Sequence, residues 1–550
     1  MSPFSTSRRR RMPPPRPAQP VKTLRIHRPL ALLLLSALAA SSALEAQSSE
    51  PQTEPRPLRI VLSSELEVPD PHEKAWNVVD SLFAGVYDRL LRTEPDGTLA
   101  PNLAASWERV DDRTIRFQLR RDVRFHDGST FDARGVVASY DRAHKLPDGQ
   151  LKSRLSTIES YRAVDDHVLE IKTRGVDPLL LRFLVMVPIL PAEAPIPLKK
   201  HIGTGPYRWI GEVAPNRFRL EAVTDSWRPT AREPVVEILM QEDSDASRRL
   251  LNNGEADLVR LQPVHAPAVE ASETLWIFSR ISPGVFFLGL RADRAPLDDV
   301  RLRRAVHLAL DRAALADTAL GGYARPAAQL VGPGSFGYRA DAEPPAQDIP
   351  AARALVAQTG RETVDLGAIY VDMGRRQVGA AIQAQLAEAG LKVELRAVGF
   401  PELIGAMESG KAPLYLIGWS NPTLDLGDVL GHLAHSNEAE TKHGLANETG
   451  FSDPELDRLI DQAASTLEPE ARLAVIRQAE SRARDAAFVL PLVWEMTLWA
   501  GTEDLDWQPR ADYIINPYEM ARRGAALHAA PATTAEEPGP DETSDPSSSH

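Results

Sequence analysis

The sequence predicts an α/β protein built as two large lobes. At 550 residues the chain is longer than the ~250–300 residues at which a single hydrophobic core stops growing. Beyond Val364, strand and helix patterns alternate in the order that parallel strands joined by crossover helices require. The composition, 43% hydrophobic and 25% charged, is that of an ordinary globular chain able to bury a sizeable core.

The elements follow from periodicity. Leu58 to Ser63 reads as a strand. After it Val79, Leu82, Phe83, Val86, Tyr87 and Leu90 recur at helical spacing and predict one buried helix face. Ile115, Phe117 and Leu119 alternate with polar neighbours, a half-buried strand, and Asp132 is placed to cap a helix carrying Val136, Val137 and Tyr140. Phe218, Leu220 and Ala222 alternate in the same way. A helix pair is marked by Asp298, Leu302, Ala305, Val306, Ala309 and Leu310, a fresh cap at Asp311 and a stop at Gly321-Gly322.

From Val364 the expected order is strand (364–371), helix (375–389), strand carrying Val393, Leu395 and Ala397, helix (401–408) and strand (414–419). Helices then run from Asp453 to about Ala486, and a last strand covers 488–494. In such a topology ligands sit beyond the carboxyl ends of the strands, so the loop from Trp419 to Asp428 is a candidate cleft wall.

The chain carries 63 basic and 76 acidic residues, a net charge of −13. Eight of the basic groups and one acidic group lie in the first 46 residues, so a chain starting at Gln47 would carry 55 against 75, or −20. That sign repels phosphate backbones and argues against a nucleic-acid partner. The one apolar run of note, Pro29 to Ala40, follows Lys22, Arg25 and Arg28 and precedes small residues, the layout of a secretory signal peptide cleaved after Ala46 or Ala43. It is too short for the ~20 residues of a spanning helix. Arg8 to Arg11 admit either a start at Met12 or twin-arginine export. The sequence has no cysteine, hence neither a disulfide nor a lipid-bearing sulfur, and an unanchored exported protein that stays with its cell would be confined in a periplasm.

Catalytic signatures are sparse. Gly332-Pro333-Gly334-Ser335-Phe336-Gly337 has the spacing of a dinucleotide loop but opens no helix, and Pro333 lacks an amide donor. His432, His435 and His443 have neither the HExxH glutamate nor a cysteine beside them and read as polar loop and helix-face residues. Neither G-x-S-x-G nor G-x-x-x-x-G-K-[ST] occurs. No catalytic residue, metal or cofactor is expected.

Several segments, in one order along residues 58–520, carry a family likeness: Val86-Tyr87-Asp88-Arg89-Leu90-Leu91, Pro101-Asn102-Leu103-Ala104-Ala105-Ser106-Trp107, Phe125-His126-Asp127-Gly128, Gly203-Thr204-Gly205-Pro206-Tyr207, Gly254-Glu255-Ala256-Asp257 and Asp299-Val300-Arg301-Leu302-Arg303-Arg304-Ala305-Val306. The chain thereby resembles the bacterial extracellular solute-binding proteins of peptide and nickel importers. The resemblance implies a two-lobed periplasmic-binding-protein fold, a mixed sheet in each lobe and two hinge crossings, near Leu288–Leu290 and Leu490–Trp494. On that scheme residues 1–46 are a signal peptide with a basic leader and 47–57 a flexible mature N-terminus. Residues 58–289 are the major part of the first lobe, 290–489 the second lobe, 490–524 the return to the first, and 525–550 a disordered tail.

The resemblance implies a periplasmic receptor that captures peptides or similar polar solutes and hands them to an inner-membrane ATP-driven permease, as a monomer and without turnover. Similar peptide binders hold a ligand ammonium with an Asp just past the aromatic residue ending the strand equivalent to 414–419. Here Pro422 stands at that place, and the role shifts to Asp425 or Asp428, with Asn421 beside them. Arg375 and Arg376 are the candidates for a ligand carboxylate, Trp419 and Trp494 for stacking, and Glu65 for the cleft after the first strand. Rival readings are a receptor for a nickel chelate, opine or sugar, a secreted hydrolase, and a periplasmic chaperone or sensor subunit.

Overall fold

The computed structural model describes residues 56–523 apart from the short segments 65–69, 74–76, 147–148 and 438–442. The predicted signal peptide, the expected flexible N-terminal stretch up to residue 55, the expected tail and Glu65 lie outside the described residues. Among those described, no helix is long and apolar enough to cross a membrane.

The strand Val489–Thr502 organises a twelve-stranded mixed sheet. On one side the order is Val285–Leu290, Leu414–Trp419, Val364–Asp372 and Leu391–Val398, the last three mutually parallel. On the other it is Leu258–Arg260, Leu58–Leu62, Val235–Met240, Arg217–Ala222 and Tyr207–Ala214. At 14 residues and ~3.3 Å per residue this strand is about 45 Å long, enough to serve both groups. Its first half pairs with Phe286–Gly289 and its second half, Met496–Thr502, with Leu275–Ile281. The exchange of partners falls at Trp494-Glu495, opposite the break at Ser282-Pro283-Gly284, where Ser282 N donates to Glu495 O (2.9 Å).

Burial explains the alternation. Leu288, Ile369, Val371, Leu414 and Leu416 face one core, and Phe287, Ala368, Tyr370 and Tyr415 face another. Successive residues of a strand point to opposite faces, so a sheet covered by helices on both sides is apolar throughout. The far group repeats this: Ile60, Val236 and Ile238 lie in one cluster, Val61 and Leu239 in another. A separate antiparallel sheet orders Ala104–Arg109, Thr114–Leu119, Val168–Thr173 and Ile158–Asp165, and packs its own core against the helix Ala133–Lys145.

Most predicted elements appear close to their expected limits. The strand Leu414–Trp419 matches, and Asp132 caps its helix by accepting from Gly135 N at 2.8 Å. Two readings need correction. The helix expected through Leu90 stops at Phe83. Val86, Tyr87 and Leu90 are buried, but their backbone is drawn into tertiary pairing: Gly205 N donates to Val86 O and Tyr207 N to Gly85 O. A Cβ on Gly85 would sit 2.8 Å from the Tyr207 ring, so this approach needs glycine. The last strand continues eight residues beyond Trp494 because Leu275–Ile281 offers it a partner.

Candidate functional site

The Trp419–Asp428 loop is held rigidly. Asn421 is fully buried; its amide nitrogen donates to Ser335 Oγ (3.0 Å) and its amide oxygen accepts from Asp425 N (3.1 Å). Asp425 caps the helix Leu426–Leu433, accepting from Gly427 N at 2.8 Å, and receives both Arg472 guanidinium nitrogens at 2.7 and 2.8 Å. Both side chains are 6% exposed, so the Asp425 carboxylate is spent on holding the loop to the helix Pro469–Ala486. Asp428 accepts from Thr423 Oγ1 (2.7 Å), with His432 Nδ1 3.4 Å away. Leu424 between them sits at φ +53°, a left-handed conformation that stores roughly 1–3 kcal/mol at a non-glycine residue.

What the loop turns outward is Pro422. It lines a cavity of ≈ 110 Å³ with Asp80, Arg89, Arg510 and Asp512, residues drawn from the beginning and end of the described chain. Asp80 pairs with Arg89 at 2.6 Å and Arg510 with Asp512 at 2.6 Å. Burial raises the Asp80 carboxyl, with Arg89 opposing it.

A second charged cluster lies where Val489–Thr502 changes partners. Arg375 donates to both carboxylate oxygens of Glu495 (2.5 and 3.1 Å) while its guanidinium stands 3.7 Å from the Phe286 ring centre. These side chains keep 28% and 26% exposure. Burial raises the Glu495 carboxyl above the ordinary range, and Arg375 and Arg260 pull it back. Arg260 stands over the Trp499 ring at 5.0 Å. Its side chain is exposed to solvent, and its charge lies near enough to act on Glu495 and Tyr513.

Tyr513 completes this cluster. Ser282 Oγ and Tyr513 Oη share a short hydrogen bond, and Gly284 N donates to Tyr513 Oη at 3.0 Å. Tyr513 is at φ +63°, in the left-handed region like Leu424. A Cβ on Gly284 would meet Trp419 O at 2.3 Å, so glycine lets the two strand ends close up. The cluster therefore gathers a carboxylate, two guanidinium groups and a phenol beside aromatic faces, a set that suits a ligand bearing both signs of charge.

The predicted residues separate accordingly. Arg375 stands in this charged cluster, and Trp419 is half-buried with its ring 5.5 Å from His432. Asn421 and Asp425 are inside the loop, and Arg376 is exposed. Trp494 is 7% exposed, edge-on to Tyr338 at 5.8 Å, and belongs to a core. The Gly332–Gly337 loop backs the break in the sheet, with Gly332 N donating to Pro283 O (2.9 Å). Sequence reasoning missed Glu495, Arg260 and Tyr513. Only Glu495 left a trace, an acid interrupting the apolar run Val489–Trp499.

A family model, "Bacterial extracellular solute-binding proteins, family 5 Middle", matches residues 98–441. The chain belongs to that family. Its members are the solute-binding components of peptide-type ATP-driven importers, and the partner of such a component is a membrane permease. The chain is 28% identical over 467 residues to the probable di/tripeptide-binding protein 5 of Pseudomonas aeruginosa, covering 77% of this chain and 86% of that one. It is 25% identical over 512 residues to the glutathione-binding protein GsiB of Escherichia coli, covering 86% and 94%. The structure of HbpA2 from Haemophilus parasuis superposes with a TM-score of 0.76 at 18% identity, over 85% of this chain and 99% of that one. This family member thus has the two-lobed mixed α/β fold of periplasmic binding proteins.

Proposed function

We propose that this family member captures short peptides of two or three residues, without turnover, in a recess formed by the charged cluster beside the partner exchange of Val489–Thr502. The observation that carries the reading is the half-exposed Arg375–Glu495 pair with Arg260 nearby. A zwitterionic peptide can exchange for that internal pair, its ammonium facing Glu495 and its carboxylate facing a guanidinium. Glu495 then serves where Pro422 leaves the family's usual aspartate position without charge. The names of the two relatives, a di/tripeptide binder and a glutathione binder, favour the same solute size.

We place the hinge at Ser282–Gly284 and Trp494–Glu495, a few residues from the crossings expected at Leu288–Leu290 and Leu490–Trp494. Residues 58–281 with 496–523 then form one lobe, and 285–494 the other. Closure is driven by contacts a ligand makes with both lobes at once. Secretion by the leader, release into the periplasm and delivery to the permease as a monomer complete the reading. Pro422 supports one alternative, a non-peptide solute on the same scaffold.

The test is calorimetry of purified protein with di- and tripeptides, alongside mass spectrometry of any co-purified solute. Free peptides bind, and acetylated or amidated versions bind at least tenfold more weakly. Indifference to every peptide, with a non-peptide solute recovered, selects the alternative. Cleavage of the peptide by residues of the recess overturns the receptor reading.

A further inference from the structure

The segment that follows the helix Leu426–Leu433 returns to the helix Pro454–Ala464 and brings three side chains together: His435, His443 and Asp461. One ligand-type atom from each lies within 4.8 Å of the others. His435 Nε2 is 3.4 Å from Asp461 Oδ1, and His443 Nδ1 is 3.2 Å from the same oxygen. Four ligands held ~2.0 Å from a tetrahedral zinc ion stand about 3.3 Å apart, so both separations are those of neighbouring vertices.

The proton inventory points the same way. His435 Nδ1 is 2.7 Å from Ser436 O, an acceptor only, so Nδ1 carries the proton in the neutral ring and Nε2 presents a lone pair. That side chain is 1% exposed, and among the described residues its Nε2 has no hydrogen-bond partner. A lone pair aimed at a carboxylate oxygen is repulsive until a cation lies between them. A backbone carbonyl that fixes the tautomer of an imidazole is also the usual outer support of a metal-bound histidine. Asp461 is 57% and His443 34% exposed, which leaves a mouth for a fourth ligand from water. His432 stands apart, its Nδ1 against Asp428 O at 2.8 Å.

We propose that His435 Nε2, His443 Nδ1 and the Asp461 carboxylate form a binding site for a divalent transition-metal ion of the zinc type, closed by water. Two imidazoles with one carboxylate favour zinc, nickel or cobalt over magnesium or calcium, which take all-oxygen sets. The ion would clip His435 and His443 to Asp461 on the helix Pro454–Ala464. This revises the reading of these histidines as polar loop and helix-face residues and is independent of the solute proposed above.

The experiment uses full-length mature protein stripped with chelator and titrated with Zn²⁺ and Co²⁺ alone. One ion per chain binds, the Co²⁺ form shows the intense visible absorption of a four-coordinate site, and Zn²⁺ raises the melting temperature by ~1–3 °C. Asp461→Asn and His443→Gln, both at solvent-accessible positions, each weaken Zn²⁺ binding at least tenfold while the metal-free melting temperature and the solute affinity stay as in the parent. Absence of a stoichiometric ion, or a Zn²⁺ affinity unmoved by both substitutions, overturns the proposal.

Discussion

Two arginine–carboxylate pairs in this molecule look alike on paper and are placed for different work. Arg472–Asp425 is sealed at 6% exposure on each side, with the carboxylate also capping a helix. Arg375–Glu495 keeps about a quarter of each side chain in contact with solvent, at the point where one strand passes between two sets of partners. A sealed pair cannot admit a competitor without leaving a buried charge unpaired. An open pair can be exchanged for ligand charges. The difference teaches that a cleft residue is better sought by what remains accessible to a guest than by distance in sequence from a strand end.

The comparison can be broken most sharply at its sealed end. Arg472→Ala leaves Asp425 buried and uncompensated, and the expected loss is about 3–5 kcal/mol of stability, read from denaturant unfolding. Solute affinity of the fraction that stays folded is unchanged. A loss under ~1 kcal/mol, the range of exposed pairs, would erase the distinction.

Sealing also sets the response to acid. His72 is fully buried; its Nε2 donates to Pro188 O at 2.8 Å and its Nδ1 faces Arg142 at 3.4 Å. Burial first, with the Arg142 charge adding to it, lowers its pKa from 6.5 to about 4. The folded state binds this proton less readily than the unfolded chain, so the stability is present above pH 6.5 and lost as pH falls towards 4. At pH 5 the loss from this group is about 2 kcal/mol. His201 and His307, lowered by burial to about 4 and about 3, act in the same sense. Melting temperature measured from pH 7 to 5 falls steeply, and His72→Gln makes the slope shallower.

At the open pair the effect moves from stability to binding. Glu495→Gln keeps the shape and loses the charge. Peptide affinity drops ten- to thirtyfold, about 1.4–2 kcal/mol, while stability changes by less than ~1 kcal/mol. Equal affinity in calorimetry would remove Glu495 from the ligand contacts. The smallest effect is expected at Arg376, which is exposed beside Arg375. Arg376→Ala leaves affinity within about twofold and stability within ~0.5 kcal/mol.

Much of the fold could be read from the chain because both faces of the central sheet are buried and its strands are bounded by clear turns. Leu414–Trp419 and the Asp132 cap announce themselves in local pattern. The helix overrun past Phe83 failed because Gly85 serves a contact with Tyr207 more than a hundred residues away, which no local window contains. The charged cluster proposed to receive the solute was half legible. Arg375 was named on the family resemblance and its place at the start of a helix, whereas Arg260 and Glu495 meet through strand pairing and Tyr513 through hydrogen bonds to Ser282 and Gly284, all from distant segments. Asp425 misled for the complementary reason: its partner, Arg472, lies 47 residues downstream.

The strand Val489–Thr502 belongs to two groups of partners at once. Stripping it from either would leave an interior row of amides and carbonyls bare on that side and slacken its grip on the other. The two halves of the described chain should therefore melt together in a single transition, even though each has cores of its own. Whatever motion the proposed closure needs, this shared strand keeps the two halves from coming apart piecemeal.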